Sequence, residues 1–227
     1  MFKKLLLASA LLVTFASAQA QSSQPFGVTG TVTPAPCKVT LTGGIVNLGT
    51  VSQATAKTYS VRSSATTFYI AALQSIPISI TCSAATRVQV SFLDNKPGKF
   101  LPVDGYDAIR FGMTDGAAGT VAVGAYEMRF LPTTTIDGVA VGTYLHAANG
   151  ATTWSKETGT TTGGANSYIS SGFATGFAKD AAAVAPESIT ALSGSLEMQV
   201  LLGKAFVDGI TTNFVPTGSG TLTLAYL

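Results

Sequence analysis

The stretch IPISITCSAATRVQVSF, residues 76–92, carries the clearest structural pattern in this chain of 227 residues. Its apolar side chains occupy alternate positions on both sides of a short SAAT segment, which predicts two strands that each bury one face. The apolar set comprises Ile76, Ile78, Ile80, Cys82, Val88, Val90 and Phe92. The SAAT segment between the two halves predicts either a hairpin or a corner between two sheets.

The same alternation returns in four later segments. Clusters of turn-forming residues, such as DNKPG at positions 94–98, separate the segments. Many short strands bounded by turns predict an all-β, two-sheet sandwich. The alternating apolar sets are Ile109, Phe111 and Met113; Tyr126, Met128 and Phe130; Leu196, Met198, Val200 and Leu202; and Leu222, Leu224 and Tyr226.

The first twenty residues, MFKKLLLASALLVTFASAQA, predict a secretory signal peptide. Lys3 and Lys4 precede an apolar run that ends in small residues at a cleavage pattern. A membrane anchor is the alternative, but it needs about 20 apolar residues. We expect cleavage after Ala20, or after Ala18, and export of the mature chain.

Charge is scarce and balanced in the expected mature chain. Without Lys3 and Lys4 it carries 11 basic and 11 acidic residues, and only 11% of all residues are charged. This balance disfavours nucleic acid as a partner. So few charges protect a protein poorly against self-association, so the composition fits either a self-associating protein or a well-buried β domain.

Two cysteines, Cys37 and Cys82, predict one disulfide in an exported protein. A metal site is the alternative, but a single histidine and the absence of a CxxC pair leave too few soft ligands. The same histidine, His146, lies in no nucleophile motif. Asp104 and Asp107 fall on a turn, where acidic pairs are usually solvated. We therefore expect no catalysis, no cofactor and no metal.

Residues 146–193 break the strand pattern. The segment is rich in Gly, Thr, Ser and Ala, with aromatic residues at Trp154, Tyr168, Phe173 and Phe177. We interpret it as a long insertion or decorated loop. Its aromatic residues either bind a ligand or receptor or, as is more usual, fold back on their own domain.

The segment FGVTGTVTPAPC, residues 26–37, follows the expected cleavage site. Phe26, Val28, Gly30 and Val32 lie on one face of an extended strand. Pro34 and Pro36 then end regular pairing. Such a strand can be the first strand of its own sandwich, or it can add to the open sheet edge of another subunit.

These features resemble the subunits of chaperone-usher pili. The shared pattern is the alternating Val28, Gly30 and Val32, then Cys37 seven residues after Gly30, LGTV at 48–51, Cys82, and Tyr226 as penultimate residue. The chain most resembles the β-fimbrial branch. That likeness rests on ITCSAATRVQVSFLDNKPG, IRFGM, GAY, GSLEMQV and the terminal GTLTLAYL.

The resemblance implies an immunoglobulin-like, pilin-type sandwich that is incomplete because it lacks its last strand. It divides the chain into a signal peptide (1–20), an N-terminal extension (21–36) and the sandwich (37–227) with its insertion. In this scheme Phe26, Val28, Gly30 and Val32 form a donor strand that fills the groove of a neighbouring pilin subunit. Cys37 and Cys82 join the first two strands. The groove edge that pairs with the chaperone comprises Leu222, Leu224, Tyr226 and Leu227.

The resemblance also implies the partners and location. They are a periplasmic chaperone, an outer-membrane usher and neighbouring subunits, and the exported chain becomes part of a cell-surface fimbrium that supports adhesion. A fimbrial tip, adaptor or carbohydrate-binding adhesin is the alternative, and no receptor can be named. One departure concerns the groove edge, because many pilins carry glycine fourteen residues from the end, where this chain has Phe214.

Overall fold

One long strand organises the computed structural model, which describes residues 36–43, 47–62, 67–101, 107–156 and 167–227. This strand, Phe68–Asp94, is 27 residues long. Its first part pairs in one sheet and its last part in another, and the SAAT segment between them is mostly exposed. The sequence predicted either a hairpin or a corner between two sheets at this segment, and the structure shows the corner.

The described residues form fourteen strands and three short helices. The strands are β1 (Cys37–Leu41), β2 (Ser60–Val61), β3 (Phe68–Asp94), β4 (Arg110–Asp115), β5 (Ala122–Phe130), β6 (Thr135–Ile136), β7 (Val139–Ala140), β8 (Thr143–Ala148), β9 (Ser155–Lys156), β10 (Ser167–Tyr168), β11 (Phe173–Ala178), β12 (Ser188–Gly203), β13 (Pro216–Gly218) and β14 (Gly220–Tyr226). The helices are α1 (Gln53–Lys57), a 3-10 turn (Asp107–Ile109) and α2 (Lys204–Gly209).

Two antiparallel sheets share β3. The first has the order β13, β4, β5, β12, β3, β1, and Ile80 is paired with Val39 on one side and Leu192 on the other. The second has the order β14, β3, β11, β8, β9. The chain is therefore all-β, with the immunoglobulin-like sandwich that the sequence predicted.

The core lies between the two sheets and uses the predicted alternating residues. Ile76, Ile78 and Ile80 are at most 2% exposed, and Val88 and Val90 at most 1%. Each such aliphatic side chain contributes about 1.5–3 kcal/mol through burial. The alternation on both sides of the corner therefore supplies the facing surfaces of the sandwich.

The predicted disulfide is present. Cys37 at the start of β1 is bonded to Cys82 of β3, and the two residues are also direct partners in the sheet. The bond therefore fixes the beginning of β1 next to the corner.

Part of the predicted insertion belongs to the sandwich. Strand β11 pairs with β8 along its whole length and with β3 at Ala174 and Thr175. Phe177 is 1% exposed and packs edge-on against Phe130 and Tyr144. Residues 174–178 are buried at every position, so β11 shows none of the alternation that reveals a half-buried strand.

The predicted signal peptide and the candidate donor face at Phe26, Val28, Gly30 and Val32 lie outside the described residues. Within the described part of the chain, no helix has the length and apolar character needed to cross a membrane.

Candidate functional site

Strand β14 has an open edge. It pairs with β3 along all seven of its residues, from Gly220 opposite Asp94 to Tyr226 opposite Val88. Among the described residues, no strand pairs with its other edge. An unpaired edge presents backbone N–H and C=O groups that can accept an additional strand.

Contacts at its two ends show that β14 crosses the strands of the first sheet. At one end, a Cβ atom on Gly220 would lie 2.9 Å from the Tyr126 hydroxyl oxygen, so the backbone of β14 approaches β5 closely. At the other end, the backbone N–H of Cys37 donates a hydrogen bond of 2.9 Å to the Tyr226 hydroxyl oxygen. Strand β14 therefore runs from above β5 to the start of β1.

An apolar groove lies alongside β14, with a cavity volume of about 220 Å³. Its floor is the inner face of the first sheet, from strands β4, β5 and β12. The floor residues are Met113, Tyr126, Met128, Met198 and Val200. The remaining lining residues are Leu41, Leu48, Phe92, Pro216, Gly218, Ser219, Gly220 and Leu222.

The groove carries no charged side chain among its lining residues. Three of its five floor residues are methionines, whose unbranched thioethers adapt to irregular surfaces. Burial raises the pKa of the Tyr126 phenol, and the nearby Asp94 carboxylate raises it further, so this ring is neutral at physiological pH. Such a surface suits apolar side chains rather than an ionic ligand.

A lysine holds the β13 end of the groove in place. The Lys96 ammonium donates to the carbonyl oxygens of Gly116 at 3.2 Å and Thr217 at 3.0 Å, and it also contacts the Thr114 hydroxyl. Desolvation lowers the pKa of Lys96, and Asp94 partly opposes this shift. The predicted DNKPG turn thus anchors β13, which contributes Pro216 and Gly218 to the groove wall.

The predicted groove-edge residues occupy different positions along β14. Leu222 lines the groove, and Leu224 is half-buried against the core. The Tyr226 hydroxyl oxygen accepts a hydrogen bond from the Cys37 N–H. Leu227 is 50% exposed, and its backbone N–H donates to the Arg87 carbonyl oxygen at 3.1 Å. Only one of the four therefore lines the cavity itself.

Sequence reasoning missed the groove floor. It placed Met113, Met128 and Met198 on inward faces, but it could not show that a cavity lies next to these side chains. The position that departs from the pilin pattern, Phe214, is 2% exposed and exchanges two backbone hydrogen bonds with Val51.

A buried ionic cluster lies on β4 and β5. The Glu127 carboxylate contacts Arg62 at 2.7 Å and Arg110 at 3.3 Å, and the Arg110 guanidinium lies over the Phe68 ring, 4.6 Å from its centroid. Glu127 alternates with Tyr126 and Met128 along β5, so it lies on the face away from the groove. A carboxylate held by two guanidiniums is suited to a structural role.

His146 lies on β8, in the second sheet. Burial lowers the pKa of His146 in β8 to about 4, so its imidazole is neutral at pH 7. Asp104 and the Asp107 side chain lie outside the described part of the chain. Within the part that is described, no three His, Cys, Asp or Glu residues are grouped to hold a metal ion.

Comparison with known proteins identifies a family without a known activity. A family model described as "Protein of unknown function (DUF1120)" matches residues 26–145, from the first residue of the candidate donor face to the middle of β8. No curated protein matches the chain. Because the match spans more than half of the sequence, the chain belongs to this family of proteins of unknown function, DUF1120.

Proposed function

We propose that this chain is a structural subunit of a Gram-negative surface fimbria, assembled by donor-strand exchange through a periplasmic chaperone and an outer-membrane usher. The observation that carries the proposal is the apolar groove beside the unpaired edge of β14. The resemblance to β-fimbrial subunits supplies the pathway. In this function the extension of one copy fills the groove of the next.

Strand β14 and the alternating segment of the extension are matched in length. Strand β14 has seven residues, which span about 20 Å at the usual rise of a strand. The alternating segment 26–32 also has seven residues. Strand addition would give β14 its missing backbone hydrogen bonds and place alternate side chains against the floor.

The two are also matched in chemistry. Phe26, Val28 and Val32 are apolar, and the floor they would meet consists of methionine, tyrosine and valine side chains. Gly30 on the same face would permit close approach where the groove is shallow. Leu41, 39% exposed at the end of β1, would gain an apolar partner.

An unpaired strand edge beside an apolar groove favours association, so the free subunit needs protection. A chaperone strand in the groove before assembly, followed by a neighbour's extension, would meet this need. The signal peptide predicted at residues 1–20 is consistent with delivery to the periplasm.

A carbohydrate-binding adhesin is a weaker proposal. It requires Trp154 or the neighbouring aromatic rings to be exposed around a concave site. Phe173 is 44% exposed, but Trp154 is half-buried and Phe177 is buried. The Trp154 ring lies against Gly176, where a Cβ atom would be 3.2 Å from the Trp154 Cζ3 atom, and Pro186 covers the same glycine. This ring therefore packs on its own sandwich.

The test is fibre assembly by exported chains in cells that also express a chaperone and an usher. Removing residues 21–33 should leave a subunit that folds with its chaperone and forms no ladder on unheated gels. Gly30→Leu should slow exchange more than the matched control Thr31→Leu, since only position 30 faces the floor. Normal laddering of the deletion, or equal effects of the two leucine variants, would refute the proposal.

A further inference from the structure

The turn after β8 contains the one asparagine in the sequence that a glycine follows, Asn149 before Gly150. Both residues are exposed. The Ala151 N–H donates to the Ala148 carbonyl oxygen at 2.8 Å, and Gly150 has a φ of 82°. Asn149 and Gly150 are therefore the two central residues of a reverse turn, with glycine at the position of positive φ.

An asparagine followed by glycine carries its own reaction partner. The backbone nitrogen of the glycine attacks the side-chain Cγ atom, the new Cγ–N bond closes a succinimide ring, and the Cγ–Nδ2 bond breaks. The attacking nitrogen loses its proton to solvent, and the side-chain nitrogen takes up a proton and leaves as ammonia. Water then opens the ring at either carbonyl group, which gives aspartate or isoaspartate.

The attacking nitrogen at this turn is accessible. A Cβ atom placed on Gly150 would meet no atom within 4 Å. Among the described residues, the backbone hydrogen bonds of the turn are donated by its neighbours, since the Asn149 N–H donates to the Gly172 carbonyl oxygen at 3.0 Å and the Ala151 N–H closes the turn. The Gly150 nitrogen thus has neither a side chain nor a turn hydrogen bond to hinder its attack.

Two other exposed asparagines, Asn95 and Asn213, lack this arrangement. The Lys96 N–H, which follows Asn95, donates to an Asp94 carboxylate oxygen at 2.8 Å. The Phe214 N–H, which follows Asn213, donates to a backbone carbonyl oxygen at 3.0 Å. In both cases the nitrogen that would attack is held in a hydrogen bond, and its residue carries a bulky side chain.

We propose that Asn149 is a site of spontaneous deamidation through a succinimide formed with the Gly150 nitrogen. Each modified copy gains one negative charge, in a chain whose expected mature form has 11 basic and 11 acidic residues. Isoaspartate also adds a carbon atom to the main chain directly after Ala148, where β8 ends its pairing with β11 at Phe173. Deamidation therefore changes both the net charge of the protein and the end of a sheet pairing as the protein ages.

The experiment ages the purified full chain in buffer made with ¹⁸O-water and maps its peptides by mass spectrometry. Asn149 should convert about tenfold faster than Asn213 or more, because the Phe214 N–H must first leave its hydrogen bond. The rate should rise by up to about tenfold per pH unit, since the attacking nitrogen must lose its proton. The product should be a mixture of aspartate and isoaspartate that carries one oxygen from the solvent.

Intact Asn149, or equal rates at Asn149 and Asn213, would overturn the inference. Aspartate without isoaspartate would also overturn it, because direct hydrolysis of the side chain forms no ring. Asn149→Gln keeps a carboxamide but would require a larger ring, so the acidic form that accumulates on ion exchange should lose its component modified at position 149. The matched control Asn213→Gln should leave the conversion of Asn149 unchanged, and an equal slowing by both variants would contradict the assignment.

Discussion

A charge placed on the inward face of the proposed donor segment should weaken its binding about 100-fold or more. We consider synthetic peptides of residues 21–33 that bind to the full chain, one native and one with Val28→Asp. None of the groove's lining residues carries a positive charge that could pair with the introduced carboxylate. The floor residues Met113 and Met128 are 4% and 6% exposed, so water is largely excluded.

The expected magnitude follows from desolvation of that carboxylate. Burying an unpaired ion costs several kcal/mol in real proteins, and we take about 3 kcal/mol as the lower bound. This corresponds to at least about 100-fold weaker binding. The matched control, Thr29→Asp, directs the same charge away from the floor and should change affinity by about twofold, as surface substitutions do.

Fluorescence anisotropy with labelled peptides measures both affinities against the same protein, so their ratio reports the effect of the charge at each position. The penalty at position 28 should exist above the ordinary aspartate pKa of about 3.9 and diminish as the pH falls below it, because the neutral acid is cheaper to bury. Equal affinities of the two aspartate peptides, or no binding of the native peptide, would refute the reasoning.

Three further predictions concern the sandwich. Replacing Cys37 and Cys82 by serine should lower the free energy of unfolding by about 4 kcal/mol, since the disulfide closes a loop of 45 residues. Urea unfolding measures this change, and an unchanged urea midpoint would contradict it. Phe177→Ala should cost about 3–5 kcal/mol in the same assay, whereas a loss below 1 kcal/mol would argue against its packing between Phe130 and Tyr144. Desolvation raises the pKa of Asp137, but hydrogen bonds from Thr190 and its neighbours outweigh this and hold it below the usual range. The contribution of the Asp137 carboxylate to the free energy of unfolding should therefore be complete above about pH 4 and be lost as the pH falls. Asp137→Asn should remove this loss and flatten the acidic part of a plot of unfolding free energy against pH.

The strands that were predictable from the sequence are those with one buried face. Ile76, Ile78 and Ile80 alternate with residues on the outer face, and that contrast is visible without coordinates. Strand β11 is buried on both faces from Ala174 to Ala178, so its sequence shows no contrast and it was assigned to an insertion. Short helices such as α1, five residues long, carry too few turns to show a period.

The disulfide was predictable from the expected compartment and the number of cysteines, because two cysteines have one way to pair within a chain. The structural consequence of the disulfide was not predictable from the sequence. The disulfide places Cys37 beside the corner of β3. The Tyr226 hydroxyl oxygen accepts a hydrogen bond from the N–H of the same cysteine. Only the three-dimensional arrangement shows that Cys37, the first residue of β1, lies beside the last residue of β14.

The groove floor was hidden from the sequence for a related reason. Alternation predicts that Met113, Met128 and Met198 face inward, and all three line the groove. Whether a cavity remains next to an inward residue depends on where the second sheet ends. Its end is set by β14, which crosses the first sheet from β5 to β1. The crossing requires glycine at 218 and 220, since a Cβ at either position would lie within 3 Å of the Tyr126 ring or its hydroxyl. The terminal GTLTLAYL therefore contributes to the groove twice, through an open edge and through the glycine that lets this edge lie close to the floor.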